Sequence, residues 1–193
     1  MCSNCALVFV LEDKHLDEAS EKARYDLHVN SPDDENYKKF LAKVSKPVLK
    51  RLSEGAKGLD FGSGPGPTLS LMFEEAGCEM KIYDHFYAKD EKVLENTYDF
   101  ITSTEVVEHL YRPMAVLNRL WNILNTDGLL CLLTQPYVEQ DAFEKWYYKN
   151  DPTHVCFFSL ETMQWLALKW KAELEVISKD VFIFKKISHE KVR

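Results

Sequence analysis

The apolar positions of this chain change period several times, and the changes mark out its elements. Between Pro32 and Leu52 the residues Tyr37, Phe40, Leu41, Val44, Val48 and Leu49 recur at intervals of three and four, the spacing of one helical face. Pro47 falls inside that pattern and predicts a kink or a break. Ahead of it, DEASEKARYDL, within Leu16 to His28, is rich in helix formers and predicts a first helix. Gly58 to Phe61 then reads as a short apolar strand, Thr68 to Ala76 as a helix stopped by Gly77, and Met80 to Tyr83 as a second strand. Tyr98 to Ser103, Pro113 to Leu124 and Leu129 to Thr134 repeat the strand, helix, strand order, the last strand entered through the turn pair Asp127-Gly128. A helix from Ser159 to Trp170 precedes Leu174 to Ile177 and Val181 to Ile187, which the Lys179-Asp180 corner joins as an antiparallel hairpin.

This alternation predicts right-handed crossovers and an α/β fold: a Rossmann-like open, mostly parallel sheet with helices on both faces and a C-terminal antiparallel hairpin strand. At 193 residues, with 46% hydrophobic, the chain supports one well-buried core. Residues 1–15 read as an N-terminal extension containing a CxxC pair and residues 16–193 as a single domain. The aromatic-rich stretch at about 135–158 reads as a lid.

Charge narrows the partners. A formal net charge of −7 gives no general attraction for polyphosphate, and no Lys/Arg cluster interleaves with aromatics, so nucleic acid is not expected. No apolar run approaches the roughly 20 residues of a membrane span, so no membrane partner is expected either. Five scattered cysteines, an odd number, read as reduced thiols, and the expected location is cytoplasmic.

The stretch GLDFGSGPGPT, Gly58 to Thr68, carries the first functional signal. Ligands of open parallel sheets sit where a strand turns into its helix, and Gly62, Gly64 and Gly66 occupy that place. Dinucleotide sites use G-x-G-x-x-G/A with a pyrophosphate on the helix N-terminus; here Pro67 stands where the last small residue belongs and removes one N–H donor. A ligand without pyrophosphate suits the loop better. Asp84 ends the second strand, where an acid accepts the hydroxyls of a ribose, a sugar shared by nicotinamide dinucleotides and adenosyl compounds.

Together with YDFITSTEVVEHL and NTDGLLCLLT, these residues resemble the class I S-adenosylmethionine-dependent methyltransferases, in particular small-molecule methylases similar to those of ubiquinone biosynthesis. The resemblance extends over about Leu41 to Lys186 and implies S-adenosylmethionine as cofactor and a small-molecule methyl acceptor. It further implies cofactor contacts at Asp60, Gly62, Gly64, Gly66, Asp84 and the Thr104-Glu105 region. DPTHVCFFSLETMQWLA looks like the segment that brings a histidine and aromatics over the site in such enzymes.

One departure lies in HFYAKDEKVLENT, which is too short for the helix and third strand that usually precede the fourth-strand motif. Either Lys92 to Leu94 is a vestigial edge strand, or other groups hold the adenine, with Phe86 and Tyr87 as stacking candidates. His154, with His109 as partner or competitor, is the candidate acid–base residue for an acceptor that must lose a proton. Glu105 and Glu108 flank the same motif, as site residues or as first-turn acids. Cys2 and Cys5 resemble one knuckle of a zinc ribbon, with His15 and His28 as further donors, but one CxxC supplies two ligands where structural zinc takes four, and no metal is expected. Two other readings stay open: a non-catalytic adenosyl-binding module, and a nicotinamide-dependent oxidoreductase, disfavoured by Pro67 and by the chain's length.

Overall fold

The computed structural model describes residues 1–27, 31–138 and 140–188. The elements, in order, are β1 (Val8–Phe9), α1 (Glu18–Tyr25), α2 (Glu35–Leu49), β2 (Lys57–Phe61), α3 (Thr68–Glu75), β3 (Glu79–Tyr83), β4 (Tyr98–Thr104), α4 (Pro113–Asn122), β5 (Leu124–Leu133), α5 (Gln140–Lys145), β6 (Cys156–Phe157), α6 (Leu160–Trp170), β7 (Ala172–Val176) and β8 (Val181–Lys186). Six strands form one sheet in the order β3-β2-β4-β5-β8-β7. The pairs β2/β3, β2/β4 and β4/β5 are parallel, whereas β8 runs antiparallel to both β5 and β7. This is the expected mostly parallel sheet closed by an antiparallel hairpin.

Successive residues of the central strands point to opposite faces, so each face has its own core. Ile101, Leu130, Leu132, Phe182 and Phe184 pack with Leu117 and Leu120 of α4 and Met163 and Leu166 of α6. Phe100, Leu129, Cys131, Leu133 and Ile183 pack with Leu41, Val44 and Val48 of α2 and Leu69 and Phe73 of α3. Gly58 shows how tight the second face is: a Cβ there would lie 2.3 Å from the ring of Phe100.

Local differences from the sequence reading have physical causes. Pro47 lies in the last turn of α2, where it removes one backbone bond, to the carbonyl four residues back, with little helix left to disturb, and the helix runs on to Leu49. Asp127, with φ +61°, does not open β5 but sits in a bulge within it: Tyr98 pairs with Leu124 and Phe100 with Leu129, so the turn residues loop out and pairing resumes. Lys92 to Leu94 is not an edge strand. Glu91–Glu95 is a 3-10 helix started by the Asp90 carboxylate on the Lys92 N–H, and β3 is the sheet edge. Val93 and Leu94 are buried against the first core all the same.

The N-terminal residues return to the far end of the chain. β1 pairs with β6 in a separate two-stranded sheet, Val8 opposite Phe157 and Phe9 opposite Cys156. Val10 N–H extends the pairing to Val155 O at 2.8 Å, and Tyr137 Oη donates to Ala6 O at 2.5 Å. All five cysteines are free thiols. His15 is engaged away from Cys2 and Cys5, with Nε2 3.1 Å from Val10 O and its ring stacked on Tyr111; His28 lies outside the described residues. No helix among the described residues is long and apolar enough to cross a membrane.

Candidate functional site

A cleft of about 600 Å³ opens at the carboxyl ends of β2, β3 and β4, within the size range of small-molecule sites. Its floor begins where β2 ends. Gly62 turns the chain with φ +83°, a conformation that L side chains avoid, and a Cβ there would fall 2.2 Å from Val106. Its N–H donates to Tyr83 O at 2.7 Å, lacing the loop to the end of β3.

Asp84 completes that lacing. Its Oδ2 accepts the Gly64 N–H at 2.9 Å, and its Oδ1 accepts those of Phe86 at 2.9 Å and Tyr87 at 3.1 Å. Three donors on a carboxylate that offers about four acceptor sites leave room for a further one on the cleft side. Pro67 occupies the cap position of α3, one residue before the expected first helical place, with Thr68 N–H on Gly66 O at 2.7 Å. Asp60 lies beneath the loop, 3% exposed, accepting the Thr102 hydroxyl at 2.8 Å; burial raises its carboxyl to about 6 against that hydrogen bond.

The end of β4 is built differently. The Thr104 hydroxyl is buried at the cleft wall with no hydrogen-bond partner among the described residues. Glu105 follows with φ +52°, a strained conformation for a residue with a side chain, held by its N–H on Leu133 O at 2.8 Å. A 3-10 turn, Val107–His109, then presents Glu108 and His109. Glu108 is fully buried; its carboxylate accepts the hydroxyls of Tyr148 and, at 2.9 Å, Thr134. Tyr148 Oη is also 3.3 Å from Glu105 Oε2, so one phenolic proton serves two carboxylates. Burial, with the charge of Glu108 next, raises Glu105 to about 8, and burial pushes Glu108 up as well.

The segment before α6 closes over this turn. Val155 N–H donates to Glu108 O at 2.9 Å, and His109 Nδ1 meets Thr153 O at 3.1 Å. His154 Nδ1 lies 2.6 Å from Tyr148 O, and the two imidazole rings are 4.7 Å apart. Burial, then the neighbouring His109, holds His154 below the usual histidine range. Asp151 opposes its own burial with hydrogen bonds from Thr153 and from Arg24, and stays down at about 2.

Of the residues singled out from sequence, Gly62, Gly64, Asp84, Thr104, Glu105, His109 and His154 line one cleft, while Asp60 and Gly66 support it from outside. Among the described residues of the stretch 135–158, Asp151 and His154 line the cleft. The rings of that stretch mostly pack on one another, as Phe143, Trp146 and Phe157 do. Lining that sequence reasoning missed includes Glu21 and Tyr25 of α1, Tyr37 and Phe40 of α2, and Tyr111 and Val116 around the start of α4. Tyr25 sets its ring against His109 at 5.2 Å and Phe86 at 5.6 Å. The sequence signal for α2 is the apolar stripe itself, whose first two members continue past the core onto the cleft.

The strand order, with its antiparallel hairpin beside β5, defines the class I methyltransferase fold. The chain belongs to the methyltransferase-domain family, whose model matches residues 34–179. Solved structures agree in fold at low identity. An assigned S-adenosyl-L-methionine-dependent methyltransferase of Methanococcus maripaludis is 13% identical, with TM-score 0.59 over 91% of this chain and 96% of that one. The plantazolicin methyltransferase BpumL, in complex with SAH, is 12% identical with TM-score 0.58 over 88% and 90%. Magnesium protoporphyrin IX methyltransferase from Synechocystis PCC 6803, with bound SAH, is 13% identical with TM-score 0.53 over 87% and 94%. No curated protein matches the chain.

Proposed function

We propose that this chain transfers a methyl group from S-adenosylmethionine to a small-molecule acceptor. The observation that carries the reading is the charge of the cleft wall: Glu21, Asp84, Glu105 and Asp151 line it together with aromatic rings, and among the described residues neither lysine nor arginine joins them. Such a wall suits a ligand with positive charge on sulfur and on an amine, and it is a poor host for the diphosphate of a nicotinamide dinucleotide. Pro67, which has no N–H to offer a phosphate, supports the same choice.

When bound, the cofactor supplies a methyl group activated by the positive charge on its sulfur. Asp84 has acceptor capacity left for a ribose hydroxyl, and the Thr104 hydroxyl, without a partner among the described residues, suits the methionine amine together with the neighbouring Glu105. Phe86 and Tyr87, on the turn that Asp84 organises, are positioned to flank the adenine in place of the absent third strand. Gly62 and Gly64 keep the floor low enough for backbone contact, with Asp60 and Gly66 acting from beneath.

His154 and His109 manage the acceptor's proton. A carbonyl can only accept, so the Nδ1 of each ring carries its proton toward Thr153 O or Tyr148 O, and the Nε2 of His154 is the nitrogen that takes a proton from the acceptor. The stretch 135–158 excludes water above them. Calorimetry with S-adenosylmethionine, S-adenosylhomocysteine and NADH tests the cofactor, and binding of NADH alone would overturn the reading. Transfer of label from tritiated cofactor into a metabolite extract separates an enzyme from a binding module.

A further inference from the structure

With the cofactor contacts set aside, the cleft keeps a second group of charged and aromatic residues. Asp84 and the Thr104-Glu105 pair sit at the ends of β3 and β4, whereas Glu21 and Tyr25 come from α1, Tyr111 from the turn before α4, and Asp151 and His154 from the segment before α6. We propose that this second group selects the methyl acceptor, and that the acceptor is an amine carried as an ammonium ion at neutral pH on an apolar or aromatic body. The inference rests on the methyltransferase reading above and names the class of molecule which that reading leaves open.

Glu21 is central. Its Oε1 accepts the hydroxyl of Tyr25 and its Oε2 that of Tyr111, each at 2.8 Å. Both donors are neutral, and no lysine, arginine or histidine forms an ion pair with Glu21 among the described residues. The half-buried carboxylate is thus fixed in place, with acceptor sites left over and no compensating cation. Asp151 adds a second acid to the wall. Against its own burial, hydrogen bonds from Thr153 and Arg24 hold its carboxyl down at about 2, so it is ionised at neutral pH. The rings of Tyr25 and Tyr111 beside these acids suit an apolar body and attract a cation.

The charge changes of the reaction separate an amine from other acceptors. Burial and the neighbouring His109 hold His154 below the usual histidine range, so its ring is uncharged at neutral pH and can take a proton. An ammonium acceptor gives its proton to Nε2 of His154 and becomes neutral. Its nitrogen lone pair then forms the bond to the methyl carbon while the carbon–sulfur bond breaks and that electron pair stays on sulfur. The product, an N-methylammonium, is a cation again, so the acidic wall suits both what enters and what leaves. A phenol would have to become an anion beside Glu21 and Asp151, and a carboxylate would enter as one. Among the described lining residues neither lysine nor arginine would balance that charge.

The test begins with binding, on the full chain with S-adenosylhomocysteine in place. Phenethylamine, 2-phenylethanol and 3-phenylpropanoate, three probes of similar shape, are titrated by ligand-observed nuclear magnetic resonance. The amine should bind at least about tenfold more tightly than either of the others, as expected for a hydrogen bond to a charged group. Glu21→Gln, which can still accept a tyrosine hydroxyl, should remove most of that preference while affinity for S-adenosylhomocysteine and the circular dichroism spectrum stay unchanged. No binding of the amine, equal or tighter binding of the alcohol or the carboxylate, or a preference that survives in Glu21→Gln would each overturn the inference. Tritium transfer from labelled cofactor into a metabolite extract split by ion exchange adds a reading that needs no chosen probe. Label should appear in the cationic pool. Label confined to the neutral or anionic pools would overturn the amine and leave the methyl-transfer reading standing, whereas S-adenosylhomocysteine binding with no label in any pool would overturn both.

Discussion

The rim of the sheet has two halves that face the same cleft and are built on opposite principles. At the ends of β2 and β3 the polar groups satisfy one another: Asp84 takes three backbone donors and Gly62 is tied to Tyr83. At the end of β4 they do not. The Thr104 hydroxyl has no partner among the described residues, Glu105 is strained, and the buried Glu108 and half-buried Glu105 share the single proton of Tyr148. Completed hydrogen bonds make the first half a rigid frame suited to holding a ligand. Unmet polar demand in the second half stores interaction energy for whatever arrives there, which is where chemistry gains most from it.

The sharpest break of this contrast is His154→Ala. Turnover should fall roughly 100- to 10,000-fold, as for loss of a group that manages a proton, while affinity for S-adenosylhomocysteine stays unchanged. Equal loss of both would merge the two halves into one functional unit. Asp84→Ala should do the converse. One further charge-assisted hydrogen bond to ribose, about 1.5–3 kcal/mol, amounts to roughly tenfold to a hundredfold in cofactor affinity. Asp84→Asn, which keeps one acceptor oxygen for the loop, separates the ligand's share from the frame's.

Asp60 sharpens the comparison from beneath the rim. Burial raises its carboxyl from 3.8 to about 6, so the folded chain holds that proton more tightly than the unfolded one. The associated stability is fully present below pH 3.8 and is lost as pH rises through 6. Asp60→Asn can still accept from Thr102 and escapes the loss, so its melting temperature should exceed the parent's at pH 7.5 and converge with it near pH 4. Each tenfold difference in proton affinity is worth about 1.4 kcal/mol, so the gain at neutral pH is at most about 3 kcal/mol. A variant less stable than the parent at neutral pH would mean that Asp60 is held charged by its surroundings. The smallest effect is expected at the far end: Cys2→Ser with Cys5→Ser should leave S-adenosylhomocysteine affinity unchanged by calorimetry.

Much of this is legible in the residues. The central strands are contiguous apolar runs, and Gly62, Asp84 and the Glu105, Glu108, His109 spacing all fall at strand ends, so topology alone gathers them at one rim. Lys92 to Leu94 is easily mistaken for a strand because three residues carry no usable period: Val93 and Leu94 are buried in a 3-10 turn as they would be in a strand. The turn signal at Asp127 is right in kind and wrong in place, since the pairing partner that makes it a bulge lies on β4. Tyr25 gives no local sign of reaching the cleft, and the stripe that contains Tyr37 and Phe40 marks them as apolar-face residues without telling the cleft from the core. Their position depends on how α1 and α2 dock over the rim, a tertiary matter that amphipathic spacing does not encode.

The pairing of β1 with β6 has a consequence for the order in which the molecule is made. Phe157, the partner of Val8, leaves the ribosome 149 residues after it. At ~5–20 residues per second that gap lasts on the order of ten to thirty seconds. Through that interval the nascent chain can assemble β2, β3 and the glycine loop, while Val8 and Phe9 wait without a strand to join. Tyr148 and His154 emerge after the glycine loop, so the glycine-loop half of the rim can form before the half at the end of β4 is complete.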